Sequence, residues 1–165
     1  MADIAKNVTI GIAQLGVVKR PDTITTYALG SCVGVVLYDR VSGVTGMVHV
    51  LLPNLETGTI EDKANRAKYA STGVDALLEE MLKNGSRRMN LQAKLAGGAS
   101  MFGASAAGLL NIGLRNVEEC KKALKRLNLP IMAEDTAGKS GRTITMDSIT
   151  GMLLVKTVGK GEKHI

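Results

Sequence analysis

The sequence has 165 residues and is 45% hydrophobic, yet it contains one Phe, three Tyr and no Trp. Two cysteines cannot form a disulfide framework, no Cys/His spacing typical of a zinc site occurs, and no apolar run approaches the length of about 18 residues that indicates a membrane helix. The net charge of +6 could attract nucleic acid, but the scarcity of aromatic side chains and the lack of a basic stripe argue against nucleic-acid binding.

The first third of the chain is rich in β-forming residues. An apolar run over 8–18 predicts a strand, and the β-branched residues 23–26 predict an extended segment. Two further β-rich runs, 33–38 and 44–52, flank the sequence Asp-Arg-Val-Ser-Gly at 39–43. Because turn-forming residues between two such runs are typical of a hairpin, we expect these strands to pair.

Helical patterns appear in the middle of the chain. Apolar residues at spacings of three and four predict a helix over 62–83, with Gly85 at its C-terminal cap. A short strand over 91–96 follows, and the Gly- and Ala-rich segment 97–113 is predicted to be a loop. A second helix is predicted over 116–127, beginning at an Asn with a Glu three residues later.

The last part of the chain contains three predicted strands, at 130–135, 142–147 and 152–158. Runs of strands with two inserted helices favour an α+β fold, a layered α-β sandwich, over strict βαβ alternation. We expect one domain over 1–158 and a flexible polar tail over 159–165. The N-terminus has no signal-peptide pattern, so a cytoplasmic protein with reduced thiols is expected.

The two cysteines differ in their settings. Cys120 lies on the apolar stripe of the second predicted helix, as a buried core residue would. Cys32 lies where a Gly-containing turn meets a strand, with main-chain N–H groups nearby and room for a substrate. From position alone, Cys32 is either a nucleophile or a buried structural thiol.

A nucleophilic cysteine needs a base, and His49 is the candidate by elimination, because His164 is in the tail. A lone His in an apolar strand is otherwise a core residue. A hairpin centred near residue 42 would place His49 opposite residue 35 or 36, about 10 Å or more along the strand from Cys32. Cys32 must then lie off the regular ladder, in the preceding turn, or the hairpin must contain a bulge.

Several separated motifs together resemble the CheD family of chemoreceptor glutamine deamidases. They occur in one order over roughly residues 8–158. The motifs are Thr26-Tyr-Ala-Leu-Gly-Ser-Cys32, Gly46-Met-Val-His-Val-Leu-Leu-Pro53, Ala96-Gly-Gly-Ala-Ser-Met-Phe102, Asn111-Ile-Gly113, Arg115-Asn116 and Ala133-Glu-Asp-Thr136.

The resemblance implies a Cys-His-Thr triad, a protein-glutamine amidohydrolase activity, and no metal or organic cofactor. The implied roles are nucleophile for Cys32, general base and acid for His49, and orientation of the imidazole for Thr26. By position alone Thr26 would be a structural strand residue. Main-chain N–H groups of Ser31 and Cys32 are candidates to hold the oxyanion.

The resemblance also implies partners. Substrates of the family are glutamines on the cytoplasmic helical bundle of chemoreceptors, and CheC regulates family members. Phe102 and its neighbour Met101 are candidate partner contacts, since large apolar residues in a loop of small residues either anchor the loop or bind a partner. The alternative function is a chemotaxis adaptor that binds receptor and CheC without turnover.

Overall fold

The computed structural model describes residues 4–54, 64–101 and 111–165. Two sheets of five strands and two helices stack in three layers. The helices are α1 (Ala70–Lys83) and α2 (Ile112–Arg126), and the strands are β1 (Asn7–Ile10), β2 (Leu15–Val18), β3 (Thr23–Leu29), β4 (Val33–Asp39), β5 (Thr45–Val50), β6 (Leu91–Gly97), β7 (Ile131–Thr136), β8 (Arg142–Asp147), β9 (Leu153–Thr157) and β10 (Gly161–His164).

Both sheets are mixed. The central sheet has the order β2-β5-β4-β6-β7, with one parallel pair, β6 and β7. The outer sheet has the order β1-β3-β8-β9-β10, with one parallel pair, β1 and β3. The α+β class predicted from the sequence is confirmed.

The central sheet is covered on both faces, which explains why every residue of β4 and β5 is buried. Residues of β4 alternate between two cores. Val33 and Val35 pack towards α1 and α2, whereas Val36 packs against outer-sheet residues such as Ile144. The space between the two sheets is the part of the molecule that holds the candidate site.

The apolar run at 8–18 forms two strands rather than one. β1 belongs to the outer sheet and β2 to the central sheet. Between them the chain turns at Gly11–Gln14, where the side chain of Gln14 accepts a hydrogen bond from the main-chain N–H of Gly11 at 2.7 Å. The prediction was wrong because an apolar run carries no signal for a turn closed by one side-chain amide.

The first helix starts later than predicted. Residues 62 and 63 lie outside the described part, residues 66–68 form a short 3-10 turn, and α1 begins at Ala70. The carbonyl of Lys68 accepts hydrogen bonds from the N–H groups of Leu51 and Leu52, at 2.8 and 3.1 Å. This pairing with the chain leaving β5 holds the segment before α1 outside the helix.

The second helix starts earlier than predicted, at Ile112. Its cap is Asn111, whose side chain accepts a hydrogen bond from the N–H of Leu114 at 3.1 Å. Asn116, predicted as the cap, is instead a fully buried residue inside α2. The Gly-rich sequence before residue 113 obscured the first helical turn.

A flexible tail was expected over 159–165, but residues Gly161–His164 form β10, which pairs antiparallel with β9. The strand is exposed throughout and lies at a sheet edge, where polar residues are usual. Its polar composition therefore resembled that of a tail. Within the described residues, neither helix is long and apolar enough to cross a membrane.

Candidate functional site

Cys32 lies one residue before β4, after the turn at Gly30 and Ser31, and is 5% exposed. The start of the 97–113 segment holds this turn in place. The N–H of Gly98 donates to the carbonyl of Cys32 at 2.8 Å, and the N–H of Ala99 donates to the carbonyl of Gly30 at 2.8 Å.

Gly97 allows this close approach. Its φ is +112°, and a Cβ at this position would collide with the main-chain oxygen of Cys32. Only glycine satisfies both the conformation and the contact. The backbone around the thiol is thus held by residues 97–99 of a neighbouring chain segment.

His49 faces the same side of the central sheet as Cys32. It pairs with Gly34, two residues after Cys32, so the two side chains are diagonal neighbours on the face turned to the outer sheet. The predicted pairing of His49 with residue 35 or 36 is wrong, because the hairpin is centred between residues 41 and 42.

The two alternatives for the backbone are also decided. The β4–β5 ladder is regular and begins at Val33, so Cys32 lies in the turn, off the ladder. A register shift does occur nearby, but in β3, between Thr26 and Leu29, where Ala28 has a φ of 60°.

Thr26 reaches His49 from the outer sheet. Both residues are fully buried, and Thr26 Oγ1 lies 2.7 Å from His49 Nδ1. The Thr26 hydroxyl donates its single hydrogen to the carbonyl of Ile10 at 2.9 Å. Thr26 Oγ1 therefore accepts from Nδ1–H, which leaves the lone pair of the neutral imidazole on Nε2.

His49 Nε2 is buried and has no hydrogen-bond partner among the described residues. A buried acceptor without a partner carries a desolvation cost of about 1–3 kcal/mol. This nitrogen lies on the face of the central sheet that also holds Cys32, and buried titratable groups in such settings are candidates for a functional site.

Burial sets the charge state of both groups. It lowers the pKa of His49 to about 4. Burial also raises the pKa of the Cys32 thiol, an effect partly offset by the main-chain N–H of Cys32 itself. At neutral pH the site therefore contains a neutral thiol and a neutral imidazole.

The remaining candidates are the two oxyanion donors and the two partner contacts. The main-chain N–H groups of Ser31 and Cys32 donate to no other residue within the described ranges. Met101 is about half exposed and its side chain lies over Gly30. Phe102 falls outside the described residues.

Cys120 is fully buried in α2, and burial raises the pKa of its thiol well above the ordinary value. It is the core residue expected from the apolar stripe. No group of three or more His, Cys, Asp or Glu side chains suited to a metal occurs among the residues that the structure describes.

One residue near the site was not recognised from the sequence. The side-chain amide of Asn116 donates to the carbonyl oxygen of Ser31, the residue before Cys32, and to that of Leu51, in the chain that leaves β5, at 2.9 and 3.0 Å. Asn116 belongs to one of the motifs that resemble the family, but the Glu three residues later makes its sequence pattern that of a helix cap.

Comparison with known proteins agrees with the motifs. The family model for CheD chemotactic sensory transduction matches residues 51–157. The chemoreceptor glutamine deamidase CheD of Halalkalibacterium halodurans is 49% identical over 166 residues, which cover 100% of each chain. The chain belongs to the CheD family. The CheD protein of Bacillus subtilis, also named a chemoreceptor glutamine deamidase, is 46% identical over 159 residues, covering 96% of this chain and 95% of its own.

A solved structure supports the fold of this CheD family member. A Neisseria meningitidis protein of the DUF152 family matches with a TM-score of 0.51 and 12% identity, over 81% of this chain and 64% of its own. At that identity the likeness concerns the architecture alone.

Proposed function

We propose that this chain hydrolyses specific glutamine side chains of chemoreceptors to glutamate, with Cys32 as nucleophile, His49 as general base and acid, and Thr26 as the residue that orients the imidazole. Family membership supports the substrate class. One observation carries the residue roles. The hydrogen bond from His49 to Thr26 leaves Nε2, which has no partner among the described residues, on the same face as Cys32.

The first step is attack on the amide carbon. As the Cys32 sulfur forms its bond to that carbon, Nε2 of His49 takes the thiol proton. The main-chain N–H groups of Ser31 and Cys32 donate to no other residue in the described ranges, which supports them as donors to the developing oxyanion. One such donor is typically worth about 2.7–4 kcal/mol in the transition state.

The second step releases ammonia. The imidazolium of His49 returns its proton to the departing nitrogen, and the carbon–nitrogen bond breaks to leave a thioester on Cys32. A water molecule, deprotonated by the same Nε2, then attacks the thioester. The carbon–sulfur bond breaks, the thiol regains its proton, and glutamate is the product.

The neutral resting pair fits this sequence of proton transfers. A glutamine amide is a poor electrophile, so attack needs a thiolate formed next to the substrate. Because burial disfavours charge on both Cys32 and His49, the proton moves only when substrate and oxyanion donors stabilise the resulting charges. Thr26 supports the imidazolium by accepting from Nδ1–H.

The partners and location follow from the same function. The substrates are helical cytoplasmic segments of chemoreceptors, which places the reaction in the cytoplasm. CheC would compete with the receptor for this enzyme, with Met101 as a candidate contact. Phe102 stays a candidate contact on the sequence alone. Exposed Met101, lying over Gly30, supports a contact at this edge.

The test compares wild type with Cys32→Ala on a receptor cytoplasmic fragment, with conversion of Gln to Glu mapped by mass spectrometry. Cys120→Ala is the matched control, because it removes the other thiol from the core of α2. We expect conversion by wild type and C120A and none by C32A.

Equal conversion by C32A and wild type would overturn the proposed chemistry. Restoration of chemotaxis by C32A in a strain lacking the protein would favour the adaptor function instead. Deamidation assays and swimming assays on the same three proteins therefore separate the two functions.

A further inference from the structure

Asn116 joins α2 to two chain segments, the one that leads into Cys32 and the one that leaves β5. It is fully buried, and its amide nitrogen donates to the carbonyls of Ser31 and Leu51 at 2.9 and 3.0 Å. A side-chain amide has two N–H donors, so both are used. Asn116 Oδ1 is buried without a hydrogen-bond partner within the described part of the chain.

The amide occupies a fork in the central sheet. The β4–β5 ladder ends at the pair of Val33 and Val50. Beyond it, the N–H of Leu51 turns away to the carbonyl of Lys68 at 2.8 Å. Cys32 thus has no ladder partner opposite it, and Asn116 supplies hydrogen bonds that link the two diverging segments.

The contact with Ser31 has a consequence for Cys32. The carbonyl of Ser31 and the N–H of Cys32 belong to one planar trans peptide and point in opposite directions. Holding the oxygen towards Asn116 turns the N–H away from α2. That N–H lies beside the Sγ of its own residue. It is therefore on the side where the oxygen of an amide attacked by Sγ would carry its charge.

We propose that Asn116 is a positioning residue for deamidation, which aims the main-chain N–H of Cys32 at the oxyanion by holding the Ser31–Cys32 peptide from behind. The inference rests on the proposed role of Cys32 as the nucleophile. It assigns Asn116 no contact with substrate. Its effect is confined to the step in which negative charge develops on the amide oxygen.

The buried Oδ1 supports a donor role. An unpaired buried acceptor is unfavourable, so an amide here is a poor choice for packing alone. The two carbonyls it binds are the groups that lose their strand partners at the fork. An apolar side chain of similar size would remove the hydrogen bond that each of them receives from Asn116.

The experiment uses Asn116→Asp, which keeps the shape but replaces the donors by acceptors, and Asn116→Ala, which carries the test if a buried carboxylate prevents folding. Leu124→Ala is the matched control, because it removes a fully buried side chain from the same helix at a distance of two turns. Folding is followed by circular dichroism and thermal unfolding.

Three measurements distinguish a misoriented main-chain N–H of Cys32 from a general disturbance of the folded structure. They are kcat and KM on the receptor fragment, the rate of Cys32 alkylation by iodoacetamide, and inhibition by a peptide aldehyde analogue of glutamine. Alkylation displaces iodide and forms no oxyanion. The aldehyde instead adds to the thiol and forms a thiohemiacetal, whose negatively charged oxygen needs the main-chain donors.

We expect kcat to fall about 10- to 100-fold in both Asn116 variants, with KM changed by less than about threefold, since removal of an oxyanion donor acts mainly on kcat. Aldehyde inhibition should weaken in parallel. The alkylation rate should stay within about threefold of that of L124A.

A kcat in folded N116A equal to that of L124A would overturn the inference, and so would alkylation that falls in step with kcat. Either result leaves the role of Cys32 untouched. Conversion by C32A would instead overturn the proposed function itself, so the two failures are distinguishable.

Discussion

Thr26 and His49 come from different sheets, and the hydrogen bond of 2.7 Å between Oγ1 and Nδ1 spans the two-sheet core. The hydroxyl is itself held by the carbonyl of Ile10 in the neighbouring strand. The orientation of the imidazole therefore depends on the packing of the outer sheet against the central sheet. Any change that separates the sheets at this level should affect the base.

Removal of the Thr26 hydroxyl should lower turnover sharply. In Thr26→Val the Nδ1–H of His49 loses its acceptor, so the ring is free to turn or to carry its proton on Nε2, which then cannot accept a proton. We expect kcat on a receptor fragment to fall about 10²- to 10⁴-fold, and Thr26→Ser to retain part of the activity. Thr143→Val, on the outer face of the same sheet, is the control and should be fully active. Activity of T26V near that of T143V would contradict the role of Thr26.

The stability of the protein should depend on pH through His49. Its pKa is about 4 in the folded chain and 6.5 in the absence of burial. Between these values the unfolded chain binds a proton that the folded chain does not, so the free energy of unfolding falls as pH is lowered from 6.5 to 4. The full loss is about 3 kcal/mol.

Urea unfolding at several pH values measures this loss, and His49→Gln provides the reference, because it cannot titrate. The difference between the two unfolding free energies should change across pH 4 to 6.5 and be constant above it. Parallel curves throughout would show that the imidazole is not held neutral by the fold.

Gly34 makes room for the contact between the sheets opposite His49. A Cβ at this position would lie 2.5 Å from Cδ1 of Ile144 and 3.3 Å from Cδ1 of Leu29. Gly34→Ala should therefore cost about 1–3 kcal/mol of stability by overpacking, and it should lower activity by displacing the outer sheet. The double variant Gly34→Ala/Ile144→Val removes the clashing atom and should regain most of both. Thermal unfolding and turnover of the single and double variants test this, and a double variant no better than G34A would contradict it.

Several elements could be predicted because their patterns reflect local physics. The strands β4, β5 and β8 are runs of β-forming residues, and the hairpin at 39–43 has the turn residues that hairpins need. Helix starts were predicted less well. α1 is delayed by pairing of Lys68 with the chain after β5, and the cap of α2 is Asn111 rather than Asn116. The start of α1 depends on a contact between segments distant in sequence. The cap of α2 is local, but Asn116 is drawn into the interior by carbonyl groups of Ser31 and Leu51, far away in the chain.

The small number of cysteines and histidines in the chain determined much about the site. With two cysteines and two histidines, only Cys32 and His49 lay in settings that could combine a nucleophile and a base. The motifs added Thr26 and the family. No periodicity could have revealed that a threonine from one sheet would meet a histidine from the other.

The tertiary structure alone decided how these groups are arranged. It set the register that puts Gly34 opposite His49, turned Cys32 out of the ladder, and placed the amide of Asn116 behind it. The physical reason is that sequence patterns report which face of an element is apolar, whereas a site is made by side chains and peptide groups that meet only when separate layers pack. Burial in that packing is also what keeps the thiol and the imidazole neutral.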